Sequence, residues 1–193
     1  RGRERRARNG VEVDPGGLDR PLEPLEALAP VGVEESTEED RPLAELSDAF
    51  RRGKEAGAGG DLPAAMNAYR EAGADSSIAP FALNNLALIL RRQDRLDEAG
   101  RVLAQAIDRY PEYHRAHYNL GLVLRDQGRG EEAQSSFEYA LRCKPSHARS
   151  WAAIAGLRAA RGETESAGQA YAQAIRFEPT SKGYRLELGR TLV

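Results

Sequence analysis

The chain has 193 residues, 40% of them apolar and 30% charged, with a formal net charge of −2, which suits one soluble domain plus a tail. No run approaches the roughly 18 consecutive apolar residues of a membrane-spanning helix, and a single cysteine, Cys143, excludes an intrachain disulfide and a CxxC metal site. The charge is uneven: residues 1–45 hold 7 basic and 12 acidic side chains, so −5, whereas residues 46–193 hold 21 and 18, so +3.

Residues 1–42 contain half of the ten prolines, the Gly16-Gly17 pair and an acidic run at Glu34-Glu35 and Glu38-Glu39-Asp40. Such a segment buries too little apolar surface to offset its ordering entropy, and a largely disordered, flexible acidic tail is expected. Leu18, Leu22, Leu25, Leu28, Val31 and Val33 form a spaced apolar set within it. The basic residues 1–8 lack the apolar segment of a secretory signal. A cytoplasmic location is the expectation, with an organelle lumen after removal of a transit peptide as the alternative.

From Leu43 onward the pattern is helical and keeps time. Pro111, Pro145 and Pro179 stand 34 residues apart, as do Ala65, Ala99, Ala133 and Ala167. The same interval links Ala72, Ala106, Ala140 and Ala174, and again Leu86, Leu120, Ile154 and Leu188. Within a unit, Ala133, Phe137, Ala140 and Leu141 follow a helical spacing, and Pro145 closes that helix. Gly60, Gly128 and Gly162 mark turns at one place in the period, with Asp94 as a tolerable substitute. A domain over 43–193 follows, with repeats at about 46–79, 80–113, 114–147 and 148–181 and a capping or truncated helix at 182–193. Identical helical hairpins need identical docking surfaces, so the period predicts an all-α solenoid and a binding surface rather than a catalytic one.

These residues resemble the tetratricopeptide repeat family. The third unit carries the pattern most fully, with Tyr118-Asn119-Leu120-Gly121, Leu124, Gly128, Ala133, Phe137, Ala140 and Pro145. The second has Asn85-Leu86-Ala87, Leu90, Ala99, Leu103, Ala106 and Pro111, and the fourth Trp151, Ile154-Ala155, Gly162, Ala167, Tyr171, Ala174 and Pro179. The first departs, with Arg52 where leucine is usual and its closing proline displaced to Pro80. The resemblance implies a right-handed α-solenoid of helix–turn–helix hairpins. Gly121 and Ala133 are then close-approach positions, while Tyr171, Phe137 and Trp151 are space fillers.

Little suggests chemistry. His114, His117 and His147 have no Cys, Asp or Glu at ligand spacing, and His117 occupies the packing place that Trp151 takes one unit later. Ser135-Ser136 lack a nucleophile elbow, and Gly57, Gly59 and Gly60 lack the Lys-Ser/Thr of a phosphate loop. Asp97-Glu98 and Glu131-Glu132 open helices, where carboxylates favour the positive terminus. No enzyme activity, cofactor or metal is expected, and Cys143 is expected to be partly buried.

The resemblance places the first helix of each unit along a concave groove. The groove residues expected to contact a peptide are Lys54, Phe81, Asn85, Arg91, Arg92, Arg115, Tyr118, Asn119, Arg125 and Arg149. Asn85 and Asn119 share one place in adjacent units, resembling the asparagine ladder in the repeat domain of O-linked N-acetylglucosamine transferase; an amide offers donor and acceptor to an extended backbone. The arginines suit an acidic or C-terminal peptide, although the family's carboxylate clamp is matched only in part. Nucleic acid is not an expected partner, because the domain is near neutral and interleaves few aromatics. Direct membrane insertion is not expected either. The chain reads as an interaction scaffold, adaptor or assembly subunit. The alternatives are the substrate-recognition domain of a larger glycosyltransferase- or sulfotransferase-like enzyme, or a permanent subunit of a large complex. The acidic tail folding back onto the groove is a further expectation.

Overall fold

A computed structural model describes residues 47–75 and 77–192; the expectations for residues 1–42, including the fold-back onto the groove, lie outside them. Among the described residues there are nine helices and no strand. They are α1 (Asp48–Ala58), α2 (Leu62–Ala72), α3 (Ala79–Arg92), α4 (Leu96–Arg109), α5 (His114–Asp126), α6 (Gly130–Cys143), α7 (Ala148–Ala160), α8 (Thr164–Phe177) and α9 (Lys182–Thr191). Each packs on the next, and α3 also meets α5. This is the expected α-solenoid: α1–α2, α3–α4, α5–α6 and α7–α8 are hairpins, and α9 lies against α8.

Backbone chemistry sets the clock. Every hairpin turn has one left-handed residue, Gly60 (φ 81°), Asp94 (φ 60°), Gly128 (φ 79°) or Gly162 (φ 78°). Asp94 thus accepts the glycine's conformation, as its short polar side chain allows. Tyr110, Lys144 and Glu178, each followed by proline, leave their helices in non-helical geometry, with φ of −136°, −140° and −135°. Proline disfavours the helical region for the residue before it and cannot donate to the helix ladder, so the recurring Pro stops each second helix at one place. Pro80 behaves differently: it lies in the first turn of α3 and opens that helix rather than closing α2.

Two glycines bring helices into contact. A Cβ on Gly121 would lie 2.5 Å from the Phe137 ring, and one on Gly53 would lie 2.7 Å from the Tyr69 ring. Ala87 and Ala155 hold the same place in the other hairpins, near Leu103 and Tyr171. Phe137 is fully buried. At the place shared by His117 and Trp151, both rings reach back to the preceding proline carbonyl. Trp151 Nε1 donates to Pro145 O at 2.9 Å, and His117 Nε2 lies 2.7 Å from Pro111 O. A carbonyl only accepts, so that histidine nitrogen carries its proton. Trp151 is half-exposed rather than enclosed. Cys143 is exposed, a correction to its expected partial burial, because its place at the end of α6 projects beyond the packed seam.

Candidate peptide-binding face

The first helices α1, α3, α5, α7 and α9 present the face on which the groove residues were expected. Two of the ten do not reach its surface. Phe81 is buried, its ring edge-on to Tyr113 at 5.4 Å, because the start of α3 is wedged against the turn before α5. Asn119 is also buried and donates through Nδ2 to Asn84 Oδ1 at 2.5 Å, tying α5 to α3. Asn85 is half-buried and shares a hydrogen bond with the Tyr69 hydroxyl, whose pKa burial raises and that bond partly restores. The asparagine pair therefore stitches neighbouring units together. A buried amide must find partners, and here the adjoining helix is nearer than any ligand.

The cations are placed differently. Lys54, Arg92, Arg125 and Arg149 are exposed, while Arg91 and Arg115 are half-buried. Arg91 Nε donates to Asp126 Oδ2 at 2.6 Å and Arg125 reaches the other oxygen at 3.1 Å, so one carboxylate bridges α3 and α5 between two guanidinium groups. Burial pushes the Asp126 carboxyl upward, but the bonds and charges of Arg91 and Arg125 outweigh it and hold the group below the usual carboxylate range.

Tyr118 stands at the centre. Burial raises its phenol pKa against the opposing charges of Arg149, Arg125 and Arg91, which places all three arginines within electrostatic reach of it. Its ring meets His147 edge-on at 5.0 Å and leans on Phe137 at 5.6 Å. Tyr184 of α9 joins the group, its phenol pushed up to about 12 by burial, by the Glu178 charge and hydrogen bond, and by Tyr118. His147, wedged among His114, Lys144, Arg149 and Arg115, is held down at about 3, first by burial and then by those charges. Its Nδ1 lies 2.8 Å from Ser150 Oγ.

Sequence reasoning assigned no role to Tyr184, His147 or the Asp126 bridge. The 34-residue register marks packing places, and Tyr184 lies outside the face positions it suggests. Asp126 carried a signal: at the face positions of the second to fourth units, which are the second, fifth, sixth, ninth, twelfth and thirteenth places counted from residues 80, 114 and 148, it is the one carboxylate.

On the opposite side, an open cleft of about 640 Å³ runs between α4, α5 and α6. Gly100, Ala104, Leu120 and Val123 are among its apolar lining, with Asp97, Arg101, Arg129 and Tyr139 among its polar lining. Gln127 Nε2 donates to Asp97 Oδ1 at 2.9 Å across it.

The sequence profile of the tetratricopeptide repeat matches residues 50–114, 101–133 and 118–182. No curated protein matches the chain. Solved structures share its fold. MamA 41-end from Desulfovibrio magneticus RS-1 superposes with a TM-score of 0.62 at 19% identity, covering 76% of this chain and 85% of its own. A tetratricopeptide repeat protein from Parabacteroides merdae ATCC 43184 gives 0.64 at 20% identity, covering 75% of this chain and 59% of its own. The first TPR of Spaghetti (RPAP3), solved bound to the HSP90 peptide SRMEEVD, gives 0.56 at 18% identity, covering 58% of this chain and 90% of its own.

Proposed function

The chain belongs to the tetratricopeptide repeat family, and from that premise we propose that it is a protein-interaction scaffold that holds an extended acidic segment of another protein against its first-helix face. One observation carries the reading. The face positions of the second to fourth units hold five arginines (Arg91, Arg92, Arg115, Arg125 and Arg149) and one carboxylate, Asp126, so +4. Guanidinium groups fork onto carboxylates, and a cluster of one sign attracts the opposite charge from a distance. Half-buried Tyr118 and Leu122 and the small Ala152 and Gly156 lie among them and supply apolar contact to an extended chain. The peptide SRMEEVD held by the RPAP3 domain has the acidic character this face favours.

The test is calorimetric titration of the 193-residue chain with SRMEEVD as probe, beside an Arg92→Glu/Arg149→Glu variant. The expected result is binding in dilute salt that weakens at least about tenfold in the variant and fades as ionic strength rises past the point where the screening length falls to about 3 Å. Equal affinity of the two proteins at low salt would remove the groove from consideration. A second reading, a subunit of a larger assembly that docks through the opposite side, is favoured by the cleft between α4, α5 and α6.

A further inference from the structure

Carboxylates open three of the second helices: Asp97 and Glu98 in α4, Glu131 and Glu132 in α6, and Glu165 in α8, each at the positive end of a helix dipole. Asp126 instead is the last residue of α5, at the negative end, where a carboxylate is disfavoured. Two arginines hold it there. Arg91 Nε donates to Oδ2 at 2.6 Å, and Arg125 donates to Oδ1 from Nε at 3.3 Å and from a terminal nitrogen at 3.1 Å.

The pairs Arg51–Asp48, Arg95–Glu98 and Arg129–Glu132 are three residues apart, but Arg91 and Asp126 are 35 residues apart and belong to successive hairpins. Without a carboxylate between them the two guanidinium groups repel each other. Asp126 therefore does for them what a bound carboxylate would do, with one oxygen to each cation. The side chains of Arg91, Asp126 and Arg125 are 25%, 28% and 43% exposed, so a ligand can reach all three. Lys54, Arg92 and Arg149 beside them are exposed and enter none of the ion pairs between described residues. Half-buried Leu88 and Leu122 stand one turn before the charges on the same helices and supply apolar contact next to them.

We propose that Asp126 is an internal stand-in for a carboxylate of the partner: on binding, one acidic side chain of the held segment takes its seat between Arg91 and Arg125, and Asp126 turns out to water. The inference rests on the groove reading above and adds its selectivity. Exchange of one carboxylate for another is close to neutral, so a segment with a single acidic side chain gains little at the seat. Affinity comes from the further carboxylates that the same segment brings to Arg92 or Arg149. Asp126 thereby makes the face select closely spaced acidic residues over isolated ones. The fork it holds is preorganised, since neither arginine has to be gathered in at the moment of binding.

The test crosses substitutions in protein and peptide by calorimetry in dilute salt. SRMEEVD and versions that each lack one carboxylate (SRMQEVD, SRMEQVD, SRMEEVN and the C-terminal amide) are titrated into the 193-residue chain and into Asp126→Asn. For one of these carboxylates, removal is expected to cost no more than about threefold in the unaltered chain, where Asp126 returns to the seat. The same removal should cost at least about tenfold in Asp126→Asn, where the two arginines are left without a carboxylate. Asp126→Glu should restore the small loss. If Asp126→Asn tightened every peptide by one common factor, the proposal would fall, because Asp126 would act as a distant charge and not as the occupant of a seat. Succinate supplies a readout apart from the peptide. The side-chain Nε–H resonances of Arg91 and Arg125 should shift saturably with it in Asp126→Asn, and with at least about tenfold lower affinity in the unaltered chain. Equal response of the two proteins would also overturn the seat. Failure of SRMEEVD to bind either protein counts against the groove reading, and the succinate titration then decides the seat by itself.

Discussion

Gly121 and Gly189 hold the same place in the repeat and meet opposite surroundings, so one substitution made at both isolates the close approach. A helix-interior alanine is better than glycine by about 1 kcal/mol. At position 121 the new Cβ would fall 2.5, 2.6 and 2.9 Å from three atoms of the Phe137 ring, where ordinary contact begins at 3.4 Å. Phe137 is fully buried and has no exit, so the helices must part. Overpacking of this kind costs about 1–3 kcal/mol, and Gly121→Ala is expected to lower stability by up to about 2 kcal/mol once the propensity gain is subtracted. At position 189 no atom lies within 4 Å of the new Cβ, and only the gain remains, about 0.5–1 kcal/mol in favour of alanine. Guanidinium unfolding reads the first effect as a lower midpoint. Hydrogen exchange of the α9 amides reads the second, because α9 packs mainly on α8 and opens locally. Stabilisation of both variants alike would refute the argument, since Gly121 would then not be a steric requirement.

Three further outcomes follow from the same geometry. His147 has a folded pKa of about 3 against an ordinary 6.5, so between those values the unfolded chain binds a proton that the folded chain refuses. Stability is therefore expected to fall by about 1.4 kcal/mol per pH unit below 6.5, a slope measurable by urea unfolding above the carboxylate range and abolished in His147→Gln. Asp126→Asn removes the counter-charge of Arg91 and Arg125; it should tighten SRMEEVD binding by about three- to tenfold in dilute salt, with no difference at high salt, by calorimetry. Trp151→Ala gives up a half-exposed ring and the 2.9 Å bond to Pro145 O; a loss of about 2–3 kcal/mol is expected in thermal unfolding, short of the cost of a fully enclosed tryptophan.

The fold was legible because its determinants are local and repeated. Pre-proline geometry, one left-handed turn residue and a small residue opposite a large one recur with the period, and Asp94 substituting for glycine does not disturb it. The candidate face was readable only as charge: Arg92, Arg125 and Arg149 of its register are exposed, whereas Arg91 and Arg115 are half-buried. The asparagines misled, because the register that aligns Asn85 and Asn119 does not say that Tyr69 and Asn84 lie within reach of them. Pairings between units depend on side-chain length across an interface, and a pattern of residue types does not contain that length. Trp151 and Cys143 show the same limit: periodicity marks which helix face a residue occupies, not how far the seam covers it.

The proposed groove and the second reading rest on different physics, and this separates their partners. Contacts to Lys54, Arg92 and Arg149 on an exposed face weaken as salt shortens the screening length from about 10 Å to about 3 Å. Contacts to the apolar lining of the cleft between α4, α5 and α6 come from surface removed from water and survive or strengthen in salting-out ions. A partner eluted from the immobilised chain by sodium chloride and lost with Arg92→Glu/Arg149→Glu therefore belongs to the first-helix face. A partner retained through that wash and by that variant belongs to the cleft, and a partner that elutes in salt yet still binds the variant would refute the groove assignment.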